Sequence, residues 1–208
     1  MTSVTRANHA EKRTGEYDVV INCAMPAGRF FARQHPERDF LETVEKTADI
    51  AYAWTAGKIV QVSSVSARCQ LDTVYGRHKA AAEAIVAFGD NLVVRLGPMY
   101  DATLSKGVLI DMLHDRTVFA SGESRYCFAS LDFVARWIAS NLHRTGLVEV
   151  GARDAIPLRI VAAHLRSRSD FKGDADHQEI ECPAPEFPEA RDVLAFLDSA
   201  KDRLRSST

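Results

Sequence analysis

Two rhythms of apolar and polar positions run through this chain. Residues 17–23 (YDVVINC), 58–63 (KIVQVS), 92–96 (LVVRL) and 147–150 are short apolar runs rich in β-branched side chains. Strands buried on both faces of a parallel sheet have this pattern. Between them the spacing turns helical. Residues 36–56 carry it through Phe40, Val44, Ala48 and Ala51, and residues 74–88 form an alanine-rich stretch that stops at Gly89. Further helices are predicted over 108–114, over 131–143 with Ser130 as N-cap, over 157–166 with Pro157 in the first position, and over 189–204. Short strands are predicted at 118–119, 125–130 and 178–182. Met25, Pro26, Ala27 and Gly28 break the first strand's continuation, and Gly97-Pro98 stops the third. Strands alternating with helices at this spacing predict an α/β protein, a parallel sheet covered by helices on both faces.

Composition narrows the class without naming it. The chain has 208 residues, 46% hydrophobic and 26% charged, and a net charge of −2 from 26 basic and 28 acidic side chains. The charges are well mixed, which argues against a nucleic-acid scaffold or a polybasic membrane binder. The polar start has no secretory apolar run, and no apolar run approaches the length of a membrane span, so the expectation is a soluble cytoplasmic protein. Cys23, Cys69, Cys127 and Cys182 lie far apart, and the expectation is three buried thiols and one in a loop, with no metal site. The histidines show no ligand spacing, and His78 is expected to face solvent.

The candidate chemistry sits at 58–79, KIVQVSSVSARCQLDTVYGRHK. Tyr75 and Lys79 are one helical turn apart and share a face. An ammonium beside a phenol favours the phenolate, so the tyrosine's pKa is expected to fall towards working pH. Such a tyrosine can exchange the proton of a substrate hydroxyl while hydride moves to or from a nicotinamide. Ser64 closes the strand eleven residues upstream, at the carboxyl edge where open α/β sheets place ligands, and can hold the same oxygen. A surface Tyr–Lys pair beneath an unrelated turn has the same spacing.

On these residues the chain resembles the extended short-chain dehydrogenase/reductase family, the NAD-dependent epimerases and dehydratases of nucleotide sugars. YDVVINCA, VSSVS, YGRHKAAAE, VVRLGPMY, SRYCFASLDFVARWI and LVEVGARDAIPLRIVAAHL occur in the family's order, from about residue 17 to 200. The resemblance implies a partial doubly wound, Rossmann-like parallel sheet with a small C-terminal substrate-binding subdomain. The expected division is an arm at 1–16, a catalytic part at 17–104 and a substrate-binding part at 105–208. By resemblance Ser64 positions the substrate oxygen, Tyr75 is the general acid/base, and Lys79 tunes Tyr75 and holds the nicotinamide ribose. Asn22, Cys23, Ala24, Pro98 and Met99 line the nicotinamide end of NAD or NADP. Arg125 contacts nucleotide phosphates, a salt bridge at a strand edge being the alternative.

The resemblance also has gaps. The family opens on a strand, a Gly-x-x-Gly-x-x-Gly turn and a helix that receives the pyrophosphate. Here sixteen residues precede Tyr17 and Gly15 is their single glycine. Strand 17–23 is therefore expected to be an unprotected sheet edge that pairs with a second copy, a separate chain or the 1–16 arm. Eleven residues between serine and tyrosine are few for extended members, and Arg68-Cys69 replaces a tyrosine-containing turn. Tyr126 and Ala129 stand where an aspartate and a histidine are usual. Three readings follow: an oxidoreductase or epimerase with an incomplete cofactor site, a binding module without redox activity, or a truncated member of the family.

Overall fold

The computed structural model describes residues 1–26 and 28–206; Ala27 of the predicted break lies outside the described residues. The chain is mixed α/β with parallel strand pairing, in two compact units. Residues 1–95 with 142–148 make the first, and residues 96–141 with 149–208 the second.

The largest sheet has four strands, with most of its residues in the first unit. Its order is Val20–Asn22, Ile59–Ser64, Leu92–Leu96, Gly146–Val150, which places Val20–Asn22 at an edge. Val20, Ile21 and Asn22 pair in parallel with Ile59, Val60 and Gln61. Further towards the N-terminus, Glu16–Tyr17 runs parallel to Thr55–Ala56. A parallel pair needs a crossover connection, and the helices between 29 and 53 supply it. Ile50, Ile59 and Val86 form the core beneath, with Val20, Ala51, Trp54, Ala56 and Ile85 packed against them. The first residues carry a single turn of helix, His9–Lys12. They are tied to the crossover by Arg6–Glu42 and Arg13–Asp49 ion pairs and by the His9 and Tyr17 rings against Trp54.

The crossover is not the single regular helix predicted over 36–56. It consists of Pro36–Phe40, a π-helical turn Leu41–Glu45, and Lys46–Ala53, preceded by the unpredicted six-residue helix Arg29–Gln34. Its buried stripe is Asp39, Thr43, Val44, Thr47 and Ile50, so three polar side chains lie where an apolar face was expected, and Phe40 is 45% exposed. Thr47 compensates by donating its hydroxyl to the Thr43 carbonyl at 2.7 Å.

The second unit has shorter elements. Met99–Tyr100 pairs in parallel with Ala129–Ser130, and Arg125–Tyr126 pairs antiparallel with Ile156–Pro157. The expected strand 125–130 is thus two separate pairings. The expected strands at 118–119 and 178–182 reduce to single bridges, Val118 to Phe171 and Tyr126 to Gln178. Ser130 caps Leu131–Ser140 by accepting from the Phe133 amide at 3.2 Å. Pro157 is the N-cap of Leu158–Leu165 rather than its first helical residue. Phe128, Met112, Val134, Leu158 and Leu197 are fully buried. Of the cysteines, Cys127 alone is buried, and Cys23, Cys69 and Cys182 are exposed, the reverse of the expected proportion. Apolar surroundings push the Cys127 thiol up to about 12.

Candidate active site

The strand Ile59–Ser64, buried along most of its length, ends at Val65, after which a four-residue helix, Ser66–Cys69, turns the chain towards the next element. Ser64 Oγ accepts the Ser66 amide at 3.2 Å, which fixes the serine side chain at the strand's carboxyl end. The helix Val74–Val86 opens on Thr73, whose hydroxyl accepts the Gly76 amide at 3.0 Å. Gly76 lets the two helices touch. A Cβ there would stand 2.1 Å from the Gln70 carbonyl oxygen and 2.7 Å from that of Ser66.

That close seating turns the Tyr75 and Lys79 face of the helix inward. Tyr75 is 8% exposed and Lys79 4%, with Lys79 Nζ 5.2 Å from the centre of the Tyr75 ring. The Ser64 hydroxyl is near enough to the Tyr75 phenol to oppose the rise in its pKa. One strand end and one helix face therefore bring Ser64, Tyr75 and Lys79 together, all in the first unit.

The electrostatics differ from the simple expectation for a Tyr–Lys pair. Burial raises the Tyr75 pKa above that of a free phenol; the Ser64 hydroxyl and the Arg29 charge oppose the rise, and the Asp39 carboxylate adds to it. Lys79 is lowered to about 8, again by burial first, with Asp39 and Glu83 acting in the opposite direction. The expectation that the lysine drives the phenol down therefore fails in this state. Desolvation is the largest cause for both groups.

Two polar networks that the sequence did not reveal surround the site. Glu83 accepts the Ser63 hydroxyl at 2.6 Å and two-pronged donation from Arg95, Nε to Oε1 at 3.0 Å and Nη2 to Oε2 at 2.7 Å. This links the serine strand, the tyrosine helix and the next strand. His78, expected to face solvent, instead puts Nδ1 2.7 Å from Asp39 Oδ2, with its side chain 19% exposed and that of Asp39 1%. No sequence signal joins residues 39 positions apart, so only the packing of the crossover against this helix reveals the pair.

The remaining predicted contacts divide by unit. In the first, Asn22 is buried with its side chain fully engaged. Nδ2 donates to Gln61 at 2.9 Å and Thr47 at 3.3 Å, and Oδ1 accepts the Ala24 amide at 3.1 Å. Cys23 and Ala24 are exposed just beyond the strand. In the second, Pro98 is half-buried and its carbonyl accepts the Ala129 amide at 3.1 Å, while Met99 lies in the short parallel pair. Arg125 Nε donates to Glu179 at 2.9 Å, the strand-edge salt bridge that was the alternative to a phosphate contact.

Comparison with known proteins places this geometry in a fold. No family sequence profile matches the chain, and no curated protein matches it either. Solved structures do. A UDP-glucose 4-epimerase from Thermotoga maritima, determined with UDP-glucose, superposes with a TM-score of 0.68 at 14% identity, over 91% of this chain and 78% of the epimerase. MoeE5, in complex with UDP-glucuronic acid and NAD, gives 0.72 at 15% identity over 92% and 80%. TunA, an NAD-dependent NDP-hexosamine 5,6-dehydratase of tunicamycin biosynthesis, gives 0.72 at 13% over 89% and 77%. The chain has the Rossmann-like fold that these proteins share.

Proposed function

We propose that this chain is a member of the extended short-chain dehydrogenase/reductase family and performs NAD- or NADP-linked chemistry at a carbinol carbon of a nucleotide sugar, as an epimerase, dehydratase or reductase. The observation that carries the reading is the burial of Tyr75 and Lys79 on one helix face, the Lys79 ammonium 5.2 Å from the ring centre, beside the strand end that bears Ser64. The solved structures of like fold whose complexes contain NAD or a UDP-sugar support it.

A nicotinamide, when bound, supplies the hydride acceptor or donor. The chain's own residues handle the proton and the orientation. Ser64 Oγ and the Tyr75 hydroxyl both reach one substrate oxygen; Ser64 holds it and Tyr75 exchanges its proton as that carbon is oxidised or reduced. Lys79, beneath the ring, is the donor towards the nicotinamide ribose, and its charge opposes the burial of a phenolate. The fit to a dinucleotide is uneven. The nicotinamide end has these donors, whereas among the described residues no glycine-rich turn opens onto a helix to cradle a pyrophosphate. For Pro98 and Met99 the nicotinamide contacts, and for Arg125 the phosphate contact, rest on the resemblance alone, and the Arg125–Glu179 ion pair favours the other reading of Arg125.

A second reading, a binding module without redox activity, is favoured by two observations. The Asn22 side chain is engaged within the fold, and burial holds Tyr75 in its neutral form. Calorimetric titration with NAD(H) and NADP(H), against a Tyr75→Phe/Lys79→Ala control, separates the two. The enzyme reading expects micromolar binding that weakens at least tenfold in the control. Absence of binding at millimolar cofactor refutes it for this chain and leaves the binding module.

A further inference from the structure

We infer that Glu83 is a positioning residue for the candidate site, its buried carboxylate fixing the register of the tyrosine helix against the two strands beside it and so the placing of Tyr75 and Lys79 next to the strand end that bears Ser64. The inference deepens the functional reading above and rests on it for its consequence in catalysis.

Glu83 follows Lys79 by four residues and Tyr75 by eight, so the three form one winding stripe along the helix Val74–Val86. Glu83 is 6% exposed. An ionised carboxylate only accepts hydrogen bonds, and here both oxygens are supplied. Oε1 accepts the Ser63 hydroxyl at 2.6 Å and Arg95 Nε at 3.0 Å, and Oε2 accepts Arg95 Nη2 at 2.7 Å. Ser63 immediately precedes Ser64 on the strand Ile59–Ser64, and Arg95 lies on the strand Leu92–Leu96. One helix side chain therefore holds two strands at once, with all three residues in the first unit.

Such a link sets geometry more than it adds stability. Taking two charges out of water offsets most of their attraction, so apolar side chains of similar size hold a fold about as well. A guanidinium fork on a carboxylate, by contrast, makes two parallel bonds that tolerate little sliding or rotation. This helix needs that constraint. Its buried residues are Tyr75, Gly76, Lys79, Ala82, Glu83 and Val86. Register is ordinarily specified by shaped side chains that interlock. Gly76 and Ala82 offer no such shape, and Val86 is the one aliphatic side chain among them larger than alanine, in the far turn with Ile50 and Ile59. Gly76 allows the helix to come close, and the fork on Glu83 fixes where along and around its axis it rests.

The consequence for the reaction is one of distance. A substrate oxygen shared by Ser64 and Tyr75 requires both hydroxyls in place, and a misplacement of about 1 Å costs on the order of 100-fold in rate.

The test needs no substrate. The full chain is labelled with 3-fluorotyrosine, and the 19F resonance of Tyr75, one of 5 tyrosines, is assigned by its loss in Tyr75→Phe. Glu83→Met/Arg95→Met replaces the ion pair by apolar side chains and leaves the net charge unchanged. Position 83 is about 12 Å from position 75 along the helix axis, so the substitution reaches the ring only by moving the helix. The expected result is a folded protein whose Tyr75 resonance is displaced and split into two or more signals. A lowered denaturant midpoint with the resonance single and in place is what a purely stabilising role produces, and it overturns the inference. Val86→Ala, which removes core contacts from the same helix, is expected to lower the midpoint and leave the resonance in place. An equal displacement there also overturns the inference, because general loosening then explains it. If the double variant does not fold, Ser63→Ala takes its place: it cuts the tie to the serine strand, keeps the ion pair, and is expected to displace the resonance by a smaller amount, an unmoved resonance overturning the inference. Calorimetric titration of the same proteins with NAD(H) keeps the two ideas apart. A displaced Tyr75 with no dinucleotide binding in the unmutated chain defeats the functional reading alone, and an undisplaced Tyr75 with intact binding defeats the inference alone.

Discussion

At the scale of single residues, the site is governed by desolvation more than by pairing. Lys79 shows this most clearly, since a lysine lowered from 10.5 to about 8 makes folding pH-dependent. At pH values below about 8 the group is protonated in both folded and unfolded chains, and its burial subtracts stability. Between about 8 and 10.5 the unfolded chain binds more protons than the folded one, so stability rises with pH. The gain across that window is on the order of 3 kcal/mol, at about 1.4 kcal/mol per unit. Tyr75 acts in the opposite sense at the upper end. Its raised pKa means that the unfolded phenol ionises first, and stability falls as pH climbs past the ordinary phenol value of 10.0. Urea denaturation at pH 7.5 and 9.5 is expected to show the rise in the unmutated chain and not in Lys79→Met. An identical pH dependence in the two proteins contradicts the account.

At the scale of elements, the geometry depends on how closely the helix Val74–Val86 seats on its neighbours. Gly76 decides one contact, because any side chain there meets the Gln70 and Ser66 carbonyls. Gly76→Ala is therefore expected to destabilise the fold by about 1–3 kcal/mol, the range of an overpacked interior position, despite alanine's better helix propensity. Denaturant midpoints measure the loss. A neutral or stabilising result shows that the helix can shift outward without penalty. The π-helical turn Leu41–Glu45 decides another contact. An extra residue in one turn changes which side chains face inward, and Asp39, Thr43 and Thr47 line the interior while Phe40 and Leu41 are exposed. Helical period alone selects the apolar positions for burial, so reading 36–56 as one regular helix misassigns this face.

At the scale of the whole molecule, the open edge of the first unit's sheet is the feature with the broadest consequence. Among the described residues nothing pairs with the outer side of Val20–Asn22, and Ile21 is 38% exposed. The 1–16 segment is tied to the crossover helices and makes no ladder with that edge. An apolar edge without lysine or proline is a template for another strand. Hydrogen exchange at the amides of 20–22, with sedimentation at several concentrations, is expected to show protection that grows with association. Fast exchange in a monomer at all concentrations overturns this expectation.

The strands 58–63 and 92–96, the helix beginning at Val74 and the Ser130 cap could be read from the chain, because each follows from local periodicity, a local break or a local hydrogen bond. So could the sharing of one face by Tyr75 and Lys79, since a helical turn fixes it. The approach of Asp39 to His78, the Glu83–Arg95 link and the engagement of Asn22 by Gln61 and Thr47 join elements far apart in sequence, and no local rule encodes such distances. The charge states of Tyr75 and Lys79 also belonged to the tertiary structure. Spacing determines which groups are neighbours, whereas the loss of water around them, which dominates both shifts, exists only once the crossover, the serine strand and the tyrosine helix have closed together.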